Sequence, residues 1–306
     1  MDIDAIATPG LERETVRRLS RRSNTRGLLQ LGFHLTLLAA TGALISVSRG
    51  QWWLAAALLL HGIVLSFLFC ALHESIHGTA FASARLNEGV AWVCGALLML
   101  PPRYFRYFHF AHHRYTQQPG RDPELTTAPP ASLASWAWRL TGLPYWRDRL
   151  EVTLRHALTG RVTEPFVPAG RAGLVVREAR VLWSCYALIA AGSLYLQLDA
   201  ALYYWVLPAL LGQPLLRAFL MAEHTGCPLV ADMLANTRST RSNAAVRLIA
   251  WRMPYHAEHH CCPSVPFHAL GALHALLGAR VRVRSPGYLA VHRGLLRAWR
   301  AAAPRG

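Results

Sequence analysis

The sequence predicts an all-α integral membrane protein with about four transmembrane helices and a helical cap on the cytoplasmic side. Three observations lead there. Of 306 residues, 53% are hydrophobic and only 16% charged, below the roughly one quarter charged residues of a soluble domain. Four apolar stretches approach or reach the roughly 20 residues that a helix needs to cross a hydrocarbon core. The basic residues, all 32 of them arginine, flank those stretches.

In chain order, residues 1–26 read as a cytoplasmic N-terminal segment, with Arg13, Arg17, Arg18, Arg21, Arg22 and Arg26 ahead of the first span at 27–48. That span is too long for a signal-peptide core and reads as a retained anchor. The second span, 52–72, opens on Trp52 and Trp53. A shorter run, 89–102, ends in Pro101-Pro102 and reads as a segment that dips into the bilayer or packs on the other helices. The third and fourth spans are expected at 181–198 and 200–221. Residues 27–275 then form one membrane domain, and 276–306 a basic cytoplasmic tail with Arg280, Arg282, Arg284, Arg293, Arg297 and Arg300.

Orientation follows from arginine asymmetry. The turn between the first two spans offers only Arg49, and the turn between the last two offers none, so the positive-inside rule puts both termini in the cytoplasm. Trp52 and Trp53, with Tyr203, Tyr204 and Trp205, then fall at the opposite interface, where amphipathic rings prefer to sit. The net charge of +16 is accounted for by orientation and anionic lipid; no base-reading motif accompanies it, so no nucleic-acid partner is expected. Six cysteines form no disulfide framework in a chain of this length: Cys70, Cys94 and Cys185 lie in apolar stretches, and Cys261 and Cys262 are adjacent.

The chemistry lies in three five-residue stretches, His73-Glu-Ser-Ile-His77, His109-Phe-Ala-His112-His113 and His256-Ala-Glu-His259-His260. They hold eight of the 15 histidines, where even scatter would place fewer than one. Side chains at i, i+3 and i+4 leave one side of a helix, so each stretch aims two or three imidazoles at a common point. Neutral imidazole is a good ligand for iron, zinc and copper. One zinc takes about four ligands, and eight histidines point to two ions.

One HxxxH box followed by two HxxHH boxes, with hydrophobic spans between, resembles the membrane fatty acid desaturase and hydroxylase superfamily. The resemblance covers about residues 50–275. It implies a non-haem centre of two iron ions cycling between Fe2+ and Fe3+, held by His73, His77, His109, His112, His113, His256, His259 and His260, with O2 as co-substrate. A further histidine after the last span is implied at His224, within Glu223-His224-Thr225-Gly226. The wording Ala-Glu-His-Thr-Gly-Cys-Pro, followed by Asn-Thr-Arg and the third box, is similar to bacterial desaturases of the dihydrorhizobitoxine desaturase-like branch, which implies a bacterial inner membrane. Glu74, Asp122, Glu223 and Glu258 are candidates to hold the second ring nitrogen of the imidazoles, whereas His268 and His274 lack the box pattern and read as structural.

The expected activity is insertion of a C=C bond into an alkyl or acyl chain of a lipid or amphiphilic small molecule, with hydroxylation or ketone formation as the alternative on the same iron site. Two external electrons are needed. No haem-binding or cysteine-rich carrier motif occurs in the chain, so a separate ferredoxin, rubredoxin or similar donor is expected, steered by the arginine-rich face. His73-Glu74-x-x-His77 also fits an HExxH zinc protease, but that reading leaves the two HxxHH boxes without work. A metal transporter would place its histidines near the bilayer midplane rather than at helix ends.

Overall fold

The computed structural model describes residues 10–302; residues 1–9 of the N-terminal segment and 303–306 of the basic tail lie outside the described residues. The regular structure of the described chain is nearly all helix. It begins with α1 (Arg13–Leu19), α2 (Asn24–Ser48), α3 (Leu54–Ser66), α4 (Leu68–His77), α5 (Ala84–Leu97) and α6 (Pro102–Tyr115). There follow α7 (Leu133–Leu140), α8 (Leu143–Thr159), α9 (Ala172–Tyr195) and α10 (Leu207–His224). The last part holds α11 (Met233–Asn236), α12 (Ala244–Ile249), α13 (His256–Cys261), α14 (Leu270–Leu277) and α15 (Tyr288–Ala302). Two three-residue strands, β1 (Arg238–Thr240) and β2 (Val283–Ser285), pair in parallel with Ser239 opposite Arg284.

Among the described residues, three helical stretches are long and apolar enough to cross a membrane: Asn24–Ser48, Leu54–His77 and Leu202–His224. They overlap the first, second and fourth expected spans. The third expected span lies in α9, whose first half carries Arg177, Glu178 and Arg180. Its uncharged part, 181–195, is shorter than the roughly 20 residues of a full crossing, so α9 would span only with Arg177 and Arg180 near the interface. The run 89–102 is not one helix. It forms the second half of α5, a turn in which Met99 has φ +52, and the start of α6.

Close backbone contact positions α10. At the crossing of α3 and α10, Gly62 faces Gly212, and a Cβ on Gly212 would lie 1.9 Å from the Gly62 carbonyl oxygen. A Cβ on Gly62 would lie 2.1 Å from the carbonyl oxygen of Pro208. Only glycine lets two helices approach so closely. The core packed around this crossing includes Leu65, Phe67, Leu68, Leu72, Leu216 and Phe219, with Phe67 set edge-on to Phe219 at 5.2 Å. The docking thus brings the C-terminal ends of α4 and α10 to the same end of the bundle.

Candidate metal centre

Four helices deliver the histidines. α4 ends at His77, and Gly78, at φ +72, terminates it in the left-handed conformation that glycine adopts without steric cost. α6 carries His109, His112 and His113 but has no side-chain cap of its own. Glu178 of α9, wholly buried, accepts instead from the backbone N–H groups of Arg103 at 3.0 Å and Tyr104 at 3.3 Å. A carboxylate on the first N–H groups of a helix satisfies orphan donors and favours its dipole, so Glu178 fixes the helix that bears the second box. His224 is the last residue of α10, and α13 carries the third box.

These histidines gather into two adjoining groups. In one, His73, His77, His109, His113 and His259 each offer a nitrogen within 4.8 Å of the others. His112, His224 and His260 form the second, and the Nε2 of His256 lies 3.1 Å from those of both His224 and His260. The groups meet where His113 stacks on His260 with ring centres 4.0 Å apart. Helical periodicity explains how each HxxHH box is divided. His109 and His113 are four residues apart and share a face, while His112, about 100° from His113, points to the other group. In the third box His256 and His260 make the four-residue pair and His259 points to the first group. The sequence reading had each box converging on one point; the structure splits the second and third boxes between two.

Several outer contacts hold ring orientation. Asp122 accepts from Nδ1 of His112 at 2.9 Å, and its other oxygen accepts from the N–H of Gln117 at 2.8 Å. Glu223 Oε1 lies 3.4 Å from Nδ1 of His256. Glu74 Oε1 is 3.9 Å from Nδ1 of His73, while its Oε2 accepts from Thr79 at 2.8 Å and from the N–H of Phe267 at 3.1 Å. So anchored, Glu74 braces α4 against the segment after the third box, whereas an HExxH protease would need this residue as a general base on a metal-bound water. Glu258 is placed elsewhere: it contacts His274 and Ser239 rather than a box imidazole. His274 consequently has a defined partner, and His268 meets Arg26 at 3.2 Å.

Three residues with roles here were not singled out from sequence. Thr116 gives its hydroxyl proton to the carbonyl of His112 at 2.6 Å and sits 3.2 Å from Nδ1 of His260. Gln117 donates to the carbonyl of His224 at 3.0 Å, and Asn236 donates to the carbonyl of Thr116 at 3.0 Å. The position of Thr116 one turn after His112 is the signal that could have marked it. Gln117 and Asn236 act through backbone groups, so Asn236 stands in the Asn-Thr-Arg wording without a role and Gln117 has no pattern to mark it.

Burial sets the protonation. It pushes His259 down to about 3, with the nearby His112 adding to the effect. His109, His113, His256 and His260 are likewise held well below the usual imidazole range, first by burial and then by neighbouring imidazoles. At neutral pH these rings are uncharged and their lone pairs available. His112 differs: burial lowers it, but Glu124 and Asp122 together outweigh that and raise it. An outer carboxylate increases the basicity of a metal-binding imidazole in this way. Both nitrogens of His73 and Nε2 of His77 are buried without hydrogen-bond partners. Each such atom costs about 1–3 kcal/mol unless satisfied, and a metal ion held by the first group would satisfy one nitrogen on each of these two rings. The donor set therefore fits two ions of the imidazole-preferring class.

The fatty acid desaturase family model matches residues 50–291. Dihydrorhizobitoxine desaturase of Bradyrhizobium elkanii is 27% identical over 305 residues, covering 91% of this chain and 82% of that protein.

Proposed function

Since the chain belongs to the fatty acid desaturase family, and is thus an oxidoreductase with lipid and membrane context, we propose that it is an O2-dependent membrane desaturase with a non-haem di-iron centre. The observation that carries the reading is the pair of adjoining imidazole groups, one of five histidines and one of three completed by His256. In this reading His73, His77, His109, His113 and His259 hold one iron, and His112, His224, His256 and His260 the other. The irons, when bound, would supply O2 activation and the removal of hydrogen from an unactivated C–H bond. The chain's own residues hold two of the rings, Asp122 on His112 and Thr116 on His260, and Glu223 lies near His256 without a hydrogen bond to it. Their burial keeps bulk water from the centre. Electrons come from a separate ferredoxin- or rubredoxin-like donor drawn to the arginine-rich face. The named relative is a desaturase and the family model describes fatty acid desaturases, which supports desaturation of an acyl or alkyl chain.

Iron-replete protein is expected to hold about two irons per chain by elemental analysis, with a Mössbauer signal of high-spin, nitrogen-rich sites. His224→Ala should lower the occupancy towards one and abolish turnover in a protein that still inserts, whereas His274→Ala, whose partner is Glu258, should keep both irons. A single tightly held zinc, with no activity on iron reconstitution, would refute the di-iron assignment.

We further propose four crossings, with α9 as the third, one membrane domain over 27–275, and both termini and the histidines on the cytoplasmic side of a bacterial inner membrane. Arginine asymmetry supports this arrangement. Reporter fusions at either terminus should be active only in the cytoplasm; a periplasmic signal at one end would exclude four crossings.

A further inference from the structure

Away from the imidazole groups lies a partly buried polar set that the reading above does not use. Gln213 of α10 is wholly buried, and neither atom of its carboxamide has a hydrogen-bond partner. One turn on, Arg217 lays its guanidinium 4.5 Å from the ring centre of Tyr145, leaves its Nε unpartnered and enters no ion pair among the described residues. Glu124 and Glu223 both act on that charge through space, and neither forms an ion pair with it. Beside Tyr145, at 5.0 Å between rings, Trp146 has a buried indole N–H that also lacks a partner. The start of α8 abuts α10 here, since a Cβ on Gly142 would lie 2.6 Å from that of Gln213. The three polar side chains therefore occupy one neighbourhood.

Their chemistry is mostly donor: a guanidinium, an indole N–H and a carboxamide NH2. An unpaired cation within a stretch apolar enough to cross a membrane is expensive and marks a ligand or a pathway. An acceptor-only anion with two oxygens can accept from all three donors, although it does not satisfy the Gln213 amide oxygen, and a carboxylate matches the guanidinium fork. Gln213, Arg217 and His224 also share one face of α10, at successive offsets of four and seven residues. Two turns, about 10 Å of helix axis, separate Arg217 from His224. An extended chain covers ~3.5 Å per three bonds, so that distance corresponds to roughly nine bonds.

Resting on the desaturase reading, we propose that Arg217, Gln213 and Trp146 form the head-group subsite for the substrate's carboxylate. The substrate is then a medium-chain amphiphilic carboxylate, oxidised roughly six to ten bonds from its acid group, rather than a diacyl phospholipid. The alkyl part runs along α10 towards the histidines, and the subsite fixes which carbon is presented there.

The test uses full-length, iron-loaded protein in detergent, with decanoate, methyl decanoate and a dioleoyl phospholipid as probes, and follows binding by tryptophan fluorescence and thermal shift. Decanoate should bind at least about tenfold more tightly than its methyl ester, the size expected for a charge-assisted hydrogen-bonded contact. Arg217→Met should erase that preference while binding of the ester is unchanged, and Arg217→Lys, which keeps the charge but not the fork, should retain part of it. Gln213→Leu should weaken decanoate alone. Equal binding of acid and ester by the native chain, an unchanged preference in Arg217→Met, or tighter binding of the phospholipid than of decanoate would each overturn the subsite. Iron content is measured on the same samples. Arg217-dependent decanoate binding in a protein that never takes up two irons would leave the subsite standing and refute the di-iron reading.

Discussion

Replacing His259 with alanine should abolish measurable turnover and strip the first imidazole group of its metal. His259 contacts every other ring there, with centres 4.7 Å from those of His73 and His77, 4.8 Å from that of His113 and 6.4 Å from that of His109. It is wholly buried, and α13 offers no other side chain to that group. Loss of an outer partner of a metal-binding histidine costs about 10–100-fold, and loss of a directly bound imidazole should exceed that. Asp122→Asn, which keeps the shape around His112 and removes the charge, should fall within that 10–100-fold window. Both are read from iron per chain and from turnover with a chemical or protein electron donor. Full iron and near-native turnover in His259→Ala would exclude this histidine from the centre.

The second large effect is on stability. Gly212→Ala should destabilise the fold by about 1–3 kcal/mol or more, because the new methyl meets the backbone oxygen of Gly62 and cannot rotate away. The effect should spread to the metal centre, since α10 carries His224. The same substitution at Gly32, exposed on α2 with nothing within 4 Å of a Cβ, should instead be neutral or stabilise by up to ~1 kcal/mol, as alanine is the better helix former. Unfolding midpoints in one detergent measure both. Equal midpoints for the two variants would show that the α3–α10 contact does not limit stability.

What the sequence by itself determined is what depends on neighbours along the chain. Apolar run length marked the helices that became α2, α3 with α4, and α10, and three-four spacing marked the residues that reached the centre. His224 was named from its place after the last span, and it stands within 3.2 Å of His112. Charge composition did not fix the third span, because α9 carries Glu178 for a purpose that appears only when α6 docks against it. Nor could spacing assign the two groups. It pairs His109 with His113 and His256 with His260, but whether those pairs face each other or opposite ways depends on the angle at which two helices meet. The tertiary structure settles this by sending one pair to each group, with His112 and His259 crossing over. It likewise decided that Glu258 turns to His274, and that Arg217 lies against Tyr145 without a direct ion pair among the described residues. Periodicity is a property of one helix, whereas these pairings are set by backbone contact between distant helices, at Gly62 and Gly212 above all.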